Sequence, residues 1–235
     1  MSVPVVPVVT IDGPSGSGKG TVSRLLAARL GWHLLDSGAL YRLVALAGLR
    51  AGLDPQDVEG HVRLARSMDV RFEAGPAGEE RILLQGEDVS LTLREEAAGA
   101  GASRVAVWPP VRSVLLFRQH AAARPPGLIA DGRDMGTVVF PGAPLKVFLT
   151  ASSQERAQRR YKQLKGKDSG VSLAALSREI AERDRRDATR PVAPLVPAPD
   201  AIVLDSTTLD AQAVTEQLWS LGRTRGLWGD SEGKQ

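Results

Sequence analysis

Short apolar runs alternate along this chain with stretches of helical period. Val6 to Ile11, Trp32 to Leu35, Leu128 to Ala130, Lys146 to Leu149 and Ala201 to Leu204 are rich in Val, Ile and Leu. They have the length of strands buried on both faces, which need not alternate in polarity. Between them, helices are predicted over Lys19 to Leu30, Leu40 to Ala51, Pro110 to Ala123, Ser153 to Leu164, Ser172 to Asp187 and Asp210 to Leu221. Ser152 and Glu155 have the spacing of a capping box and set the start of one of them. Strands and helices in this order predict βαβ units, hence an α/β fold of three layers with a parallel five-stranded sheet covered on both faces.

The rhythm changes between Ala65 and Arg104. Asp69-Val70-Arg71-Phe72-Glu73 and Arg81-Ile82-Leu83-Leu84 alternate as antiparallel strands do, around a Gly-Pro-Ala-Gly turn at Gly75 to Gly78. The expected organisation is a core of residues 1–64 and 106–227, an inserted small antiparallel subdomain at 65–105, and a disordered tail at 228–235 that is polar from Gly229 onward. Pattern alone leaves open whether the insertion caps a binding site or is purely structural. Lys165 to Gly170 reads as a mobile loop between two arginine-bearing helices.

The most specific chemistry lies where the first strand ends. Gly13-Pro14-Ser15-Gly16-Ser17-Gly18-Lys19-Gly20-Thr21 follows an apolar run and opens a helix, which is the setting of a phosphate-cradling loop. Glycines let the backbone curl so that its N–H groups face phosphate oxygens, Lys19 reaches the β and γ phosphates, and the helix dipole adds positive potential. An ordinary Gly-rich turn is the alternative, and the strand before and helix after count against it. Gly20 stands where such loops usually carry a metal-binding Ser or Thr, and the nearest hydroxyl is Thr21. The variant is similar to the loop of nucleoside monophosphate kinases. The chain has no asparagine and no Thr-Lys pair, so it lacks the guanine clamp of switch GTPases.

Two other predicted strand ends are polar. Asp36-Ser37-Gly38-Ala39-Leu40-Tyr41-Arg42 lies on the carboxyl side of the sheet, where open α/β folds place ligands, so Ser37 and Arg42 are candidates to meet a second anion. A simple helix cap at Asp36 or Ser37 fits the pattern equally. In Asp131-Gly132-Arg133-Asp134, Asp131 occupies the place of a carboxylate that holds Mg²⁺ through water, with Arg133 and Asp134 directed toward an acceptor. Arg156, Arg159 and Arg160 share one helical face, and Arg183, Asp187 and Arg190 share another. Two such faces flanking a mobile loop read either as a lid or as solvated charged faces. The phosphate loop favours the lid, because phosphoryl transfer needs cations at the migrating charge.

Composition narrows the setting. The net charge of +3 comes from 24 arginines and 6 lysines against 27 acids, spread without a basic stripe, which speaks against nucleic acid as a partner. There is no cysteine, hence no disulfide or thiolate metal site, and His33, His61 and His120 lie too far apart for a local metal motif and are expected at surface or packing positions. No run approaches the roughly 18 apolar residues of a membrane span, and Met1 to Val9 lacks a basic start. The expectation is a cytoplasmic protein, monomeric, without membrane partners.

The combined pattern resembles the bacterial cytidylate kinases from about Pro7 to Leu221. The residues that carry the resemblance are Ile11 to Gly16, His33 to Gly38, Gly132-Arg133-Asp134-Met135-Gly136-Thr137-Val138-Val139-Phe140-Pro141, Val192-Ala193-Pro194-Leu195 and Leu204-Asp205-Ser206-Thr207. The resemblance implies a P-loop kinase core, an acceptor-binding insertion, a short helical lid at about 156–190, ATP as phosphoryl donor with Mg²⁺, and CMP and dCMP as acceptors. It implies that Ser103, Arg112 and Asp134 read the cytosine edge, that Ser37, Arg42, Arg133, Arg183 and Arg190 surround the acceptor phosphate, and that Asp187 contacts the sugar. The expected catalytic groups are Lys19, Arg133, Asp131, Arg156, Arg160 and Arg183, with no direct protein ligand to the metal. A carboxylate and a guanidinium complement cytosine's amine and its ring nitrogen and carbonyl, whereas uracil's carbonyl would leave that carboxylate unpaired. A kinase of AMP, UMP or shikimate, a nucleotide switch and a nucleic-acid-binding ATPase are the alternatives.

Overall fold

The computed structural model describes residues 6–74, 80–164 and 172–229. In chain order it forms β1 (Val8–Asp12), α1 (Lys19–Leu30), β2 (His33–Asp36), α2 (Ser37–Arg50), α3 (Val58–Ser67), β3 (Val70–Ala74), β4 (Glu80–Leu84), β5 (Glu87–Asp88), α4 (Glu96–Val105), α5 (Pro109–Ala121), β6 (Leu128–Gly132), β7 (Leu145–Thr150), α6 (Ser153–Leu164), α7 (Leu173–Thr189), β8 (Ile202–Asp205) and α8 (Ala211–Thr224). A single wide turn of π type, Met135–Val139, follows β6. The chain falls into two compact units, one of residues 1–36 and 120–235 and one of residues 37–119.

The first unit is built on a five-stranded parallel sheet in the order β2-β6-β1-β7-β8. β1 and β6 lie at its centre and are buried along their whole length. Val9, Ile11, Ile129, Leu145, Val147 and Leu149 form a core with Val22 and Leu26 of α1 and Val214, Leu218 and Trp219 of α8. Three indoles close the far edge: Trp228 lies edge-on to Trp32, with centroids 5.6 Å apart, and beside Trp219 at 5.8 Å. Its ring fills the space a side chain at Gly222 would occupy.

Each predicted strand is present, but the reading stopped short at the polar ends. β1, β2, β6, β7 and β8 run on to Asp12, Asp36, Gly132, Thr150 and Asp205. Register sets Asp36 beside Asp131 and Asp131 beside Ile11, so carboxylates gather at the carboxyl edge of an otherwise apolar sheet.

The second unit holds the expected antiparallel pair, with Phe72 opposite Ile82 and Val70 opposite Leu84, extended by the short β5. Its helices α3 and α4 are absent from the sequence expectation. α3 starts on Asp57, whose Oδ1 accepts the Gly60 N–H at 2.8 Å. α4 packs against α2 through small residues, and a Cβ on Gly101 would come within 2.8 Å of the Ala45 methyl. Helices that meet through glycine and alanine leave no stripe of large apolar residues to read. His61 is buried, donating to the Asp57 carbonyl at 2.7 Å and packing on Trp108, as a packing histidine should. The expected turn at Gly75 to Gly78, the loop Lys165 to Gly170 and the tail from residue 230 onward lie outside the described residues, whereas Trp228, expected as the first residue of a disordered tail, is ordered by its packing on Trp32 and Trp219. Among those described, no helix is long and apolar enough to cross a membrane.

Candidate active site

The loop between β1 and α1 depends on its glycines. Gly16 and Gly18 have φ of 80° and 92°, a region L side chains rarely adopt, and a Cβ on Gly13 would fall 2.0 Å from the Leu149 carbonyl oxygen. α1 begins at Lys19, and the Lys19 ammonium turns back to donate to the Pro14 carbonyl at 3.2 Å.

The glycine at position 20 has a physical cause. A Cβ there would lie 3.2 Å from Asp131 Oδ2, a tight contact, so the carboxylate at the end of β6 stands beside the place of the usual hydroxyl residue. Lys19 and Asp131 influence each other strongly. Burial, reinforced by the charges of Arg133 and Arg183, pushes the Lys19 ammonium well below the usual lysine range, with Asp131 pulling it back. Burial pushes Asp131 up, with Lys19 and Arg133 opposing and Asp36 and Asp12 reinforcing. Such mutual displacement marks a site held against the preferences of its own charges.

The π turn carries the second group. Arg133 donates from Nε to Asp187 Oδ2 at 3.0 Å and from an Nη to the Gly132 carbonyl at 3.2 Å. Asp134 is buried, with Arg190 Nη2 4.0 Å from its Oδ1, while Arg190 Nε donates to the Ala193 carbonyl. Burial alone would raise Asp187, but the Arg133 charge and hydrogen bond, with Arg183 and Arg190, hold its carboxyl below the usual range. Lys19, Arg133, Arg183 and Arg190 thus share one neighbourhood with Asp131, Asp134 and Asp187.

On α6 the arrangement departs from a row of free lid arginines. Arg156 is buried, grips Asp184 through both Nη atoms, and donates to the carbonyls of Ala151 at 2.9 Å and Ser15 at 3.1 Å. Arg159, expected only as a member of the helical face, ties together three segments. It donates to the Ser17, Ser206 and Leu209 carbonyls at 3.2, 2.6 and 3.3 Å, and to Glu155 at 2.9 Å. Ser206 also donates to the Ser17 carbonyl at 2.9 Å. Arg160 is half-buried on the same helix.

The remaining candidates belong to the second unit. Ser37 is buried at the start of α2 and Arg42 half-buried one turn on. Ser103 Oγ donates to the Gly99 carbonyl at 3.2 Å within α4. Arg112 lies 5.8 Å from the Tyr41 ring centroid and donates to the Ala106 carbonyl at 3.3 Å, so α5 presents its guanidinium beside α2.

Sequence reasoning missed Asp12. It is buried, its Oδ1 accepts the Met135 N–H and its Oδ2 the Gly136 N–H, each at 2.8 Å. Burial pushes its carboxyl up to about 6, those two N–H groups limiting the rise. The available signal was a carboxylate terminating an apolar central strand directly before the loop glycine.

The family model described as cytidylate kinase matches residues 9–223. A cytidylate kinase of Pseudomonas savastanoi pv. phaseolicola is 59% identical over 95% of this chain and 98% of that protein. That of Pseudomonas syringae pv. tomato is 60% identical over the same shares, and that of Pseudomonas aeruginosa 58% identical over 91% of this chain and 93% of its own length.

Proposed function

Because the chain belongs to the cytidylate kinase family, we propose that it transfers the γ-phosphoryl group of ATP to CMP or dCMP, giving ADP and CDP or dCDP, as a step of pyrimidine nucleotide metabolism. The observation that carries this reading is the glycine-dependent loop of residues 13–21, with Lys19 opening α1 and Gly20 set against the Asp131 carboxylate at the end of β6.

An oxygen of the acceptor phosphate forms a bond to the γ phosphorus as the bond from that phosphorus to the β,γ-bridging oxygen breaks, and the electron pair leaves with ADP. The acceptor phosphate is already an anion at neutral pH, so no general base is needed. Positioning and charge neutralisation do the work. The amides of residues 13–21 and Lys19 hold the donor phosphates, and Arg133, Arg183 and Arg190 face the transferring group and the acceptor phosphate. Ser37 and Arg42 complete the grip on that phosphate, Asp187 meets the sugar, and Asp134, Arg112 and Ser103 read the base.

The donor set fits a magnesium ion carried by the triphosphate. Asp131 stands at Gly20 where the usual loop hydroxyl is missing, and would meet the ion through water. When bound, Mg²⁺ neutralises charge on the β and γ oxygens. Arg160 and Arg156 lie on the lid helix. Arg156 acts on the transferring group only if its grip on Asp184 loosens on closure, and closure excludes water that would otherwise hydrolyse ATP. The reading places the protein in the cytoplasm as a monomer.

The test is ADP release with Mg²⁺ and ATP, adding CMP, dCMP, UMP, AMP and GMP separately. Turnover confined to CMP and dCMP is the expected result. Turnover with another acceptor overturns the roles of Asp134 and Arg112, and release independent of any acceptor overturns the kinase reading.

A further inference from the structure

Asp12 belongs to the donor side by its backbone and to the acceptor side by its side chain. Its main chain ends β1 and runs directly into Gly13 of the phosphate loop. Its carboxylate reaches across to the neighbouring strand's exit and takes the N–H groups of Met135 and Gly136, one per oxygen, both at 2.8 Å. These are the first two amides after Asp134, whose carbonyl accepts the N–H groups of Val138 and Val139 at 2.9 and 3.1 Å and so closes the π turn.

The approach is close. A Cβ on Gly136 would stand 2.9 Å from Thr10 Oγ1, 3.2 Å from Lys146 Cδ and 3.4 Å from Asp12 Oδ2, so the glycine lets the turn settle against β1 at Thr10, beside the carboxylate. A neutral side chain of the same size would stabilise this backbone less, because charge-assisted hydrogen bonds are about twice as strong as neutral ones. Two parallel bonds from adjacent amides also fix the orientation of the turn, which a single bond would leave free to rotate. Arg133 and Asp134 leave the backbone immediately before the two anchored amides.

We propose that Asp12 is a positioning residue that sets acceptor specificity: its carboxylate holds the 133–139 turn in register with the phosphate loop, and through that turn aims Asp134 at the base and Arg133 at the acceptor phosphate. This rests on the reading of Asp134 and Arg133 given above. Asp12 touches neither substrate, and donor binding does not depend on it.

The experiment is a double-mutant cycle read by steady-state kinetics with CMP and UMP against ATP, using Asp12→Asn, Asp134→Ala and the double variant. Asparagine keeps one acceptor oxygen but sets an amide N–H₂ against the other backbone N–H. In Asp12→Asn the KM for CMP should rise about tenfold and the CMP-to-UMP ratio of kcat/KM fall about tenfold, while the KM for ATP stays within about twofold. In the Asp134→Ala background the same change should leave the ratio where Asp134→Ala alone puts it, because both act through one contact.

An unchanged ratio, an additive double variant, or KM values for ATP and CMP that rise together would each overturn the proposal. Gly136→Ala attacks the same contact from the other side and should reproduce the pattern if Asp12→Asn does not fold. If neither variant folds, Asp12 is a structural residue and the proposal fails. The wild-type acceptor panel separates this from the functional reading. Should the protein use another acceptor, the reading above falls while the KM split, measured with that acceptor, still decides the role of Asp12.

Discussion

α6 and the segment formed by α7 and its exit look alike in sequence, each a helix with arginines at helical spacing, yet their arginines do different things. On α6, Arg156 and Arg159 each keep one carboxylate partner, Asp184 and Glu155, and give their other N–H groups to the main-chain carbonyls of Ser15, Ser17, Ala151, Ser206 and Leu209. Around α7 the partners are mainly carboxylates: Arg133 meets Asp187, Arg190 approaches Asp134, and Arg183 adds its charge to Lys19 and Asp187. An arginine that left these carbonyls for a phosphate would orphan several main-chain acceptors at once, which opposes the move. A carboxylate stands in for a phosphate and can be exchanged for one. The partner, more than the spacing, separates arginines that hold the phosphate loop from arginines free to change allegiance when an anion arrives.

Lys19→Met removes the cation at the centre of the exchangeable group and should lower kcat about 10³-fold with Tm within about 2 °C of the wild type. Full activity in a folded variant would remove the donor site from the account. Arg183→Ala should follow, with kcat/KM for CMP down about 10²-fold and little change in Tm.

Arg159→Ala should show the opposite balance. Losing the tie among Ser17, Ser206 and Leu209 leaves carbonyls unpaired and should lower Tm by about 4 to 8 °C, measured by thermal denaturation, with a smaller kinetic loss expressed in the KM for ATP. If Arg183→Ala were the destabilised variant and Arg159→Ala the inactive one, the distinction would be reversed.

The smallest effect is a matter of pH. Carboxylate partners titrate and carbonyl partners do not. Asp187 is held below its ordinary value of 3.8, so its pairing contributes stability that is present above that value and lost as pH falls through the lower folded one. Between pH 6 and pH 3 the wild type should therefore lose about 2 to 4 °C more in Tm than Asp187→Asn does.

Much of the sheet and the donor loop was legible because each depends on residue types with one main use. Buried parallel strands are runs of Val, Ile and Leu, and the curl at Gly16 and Gly18 excludes most other residues. The arginines of α6 are harder to read, since helical spacing places Arg156, Arg159 and Arg160 on one face without saying what that face meets. α4 escaped notice because Gly99, Gly101 and Ala102 pack by being small. The π turn escaped because Gly132-Arg133-Asp134-Met135-Gly136 has no period to read, and its shape depends on a carboxylate more than a hundred positions earlier. The base-reading roles proposed for Ser103 and Arg112 rest on family likeness alone.

The pressure of Asp131 on Gly20 bears on how such a loop could change over generations. A side chain at position 20 would set its first carbon 3.2 Å from the Asp131 carboxylate, which would have to give by a few tenths of an ångström. A serine there asks that small shift of the carboxylate and offers it a hydroxyl donor in return. What position 20 can become therefore depends on how far the side chain at position 131 can turn, so the history of one position is tied to that of the other.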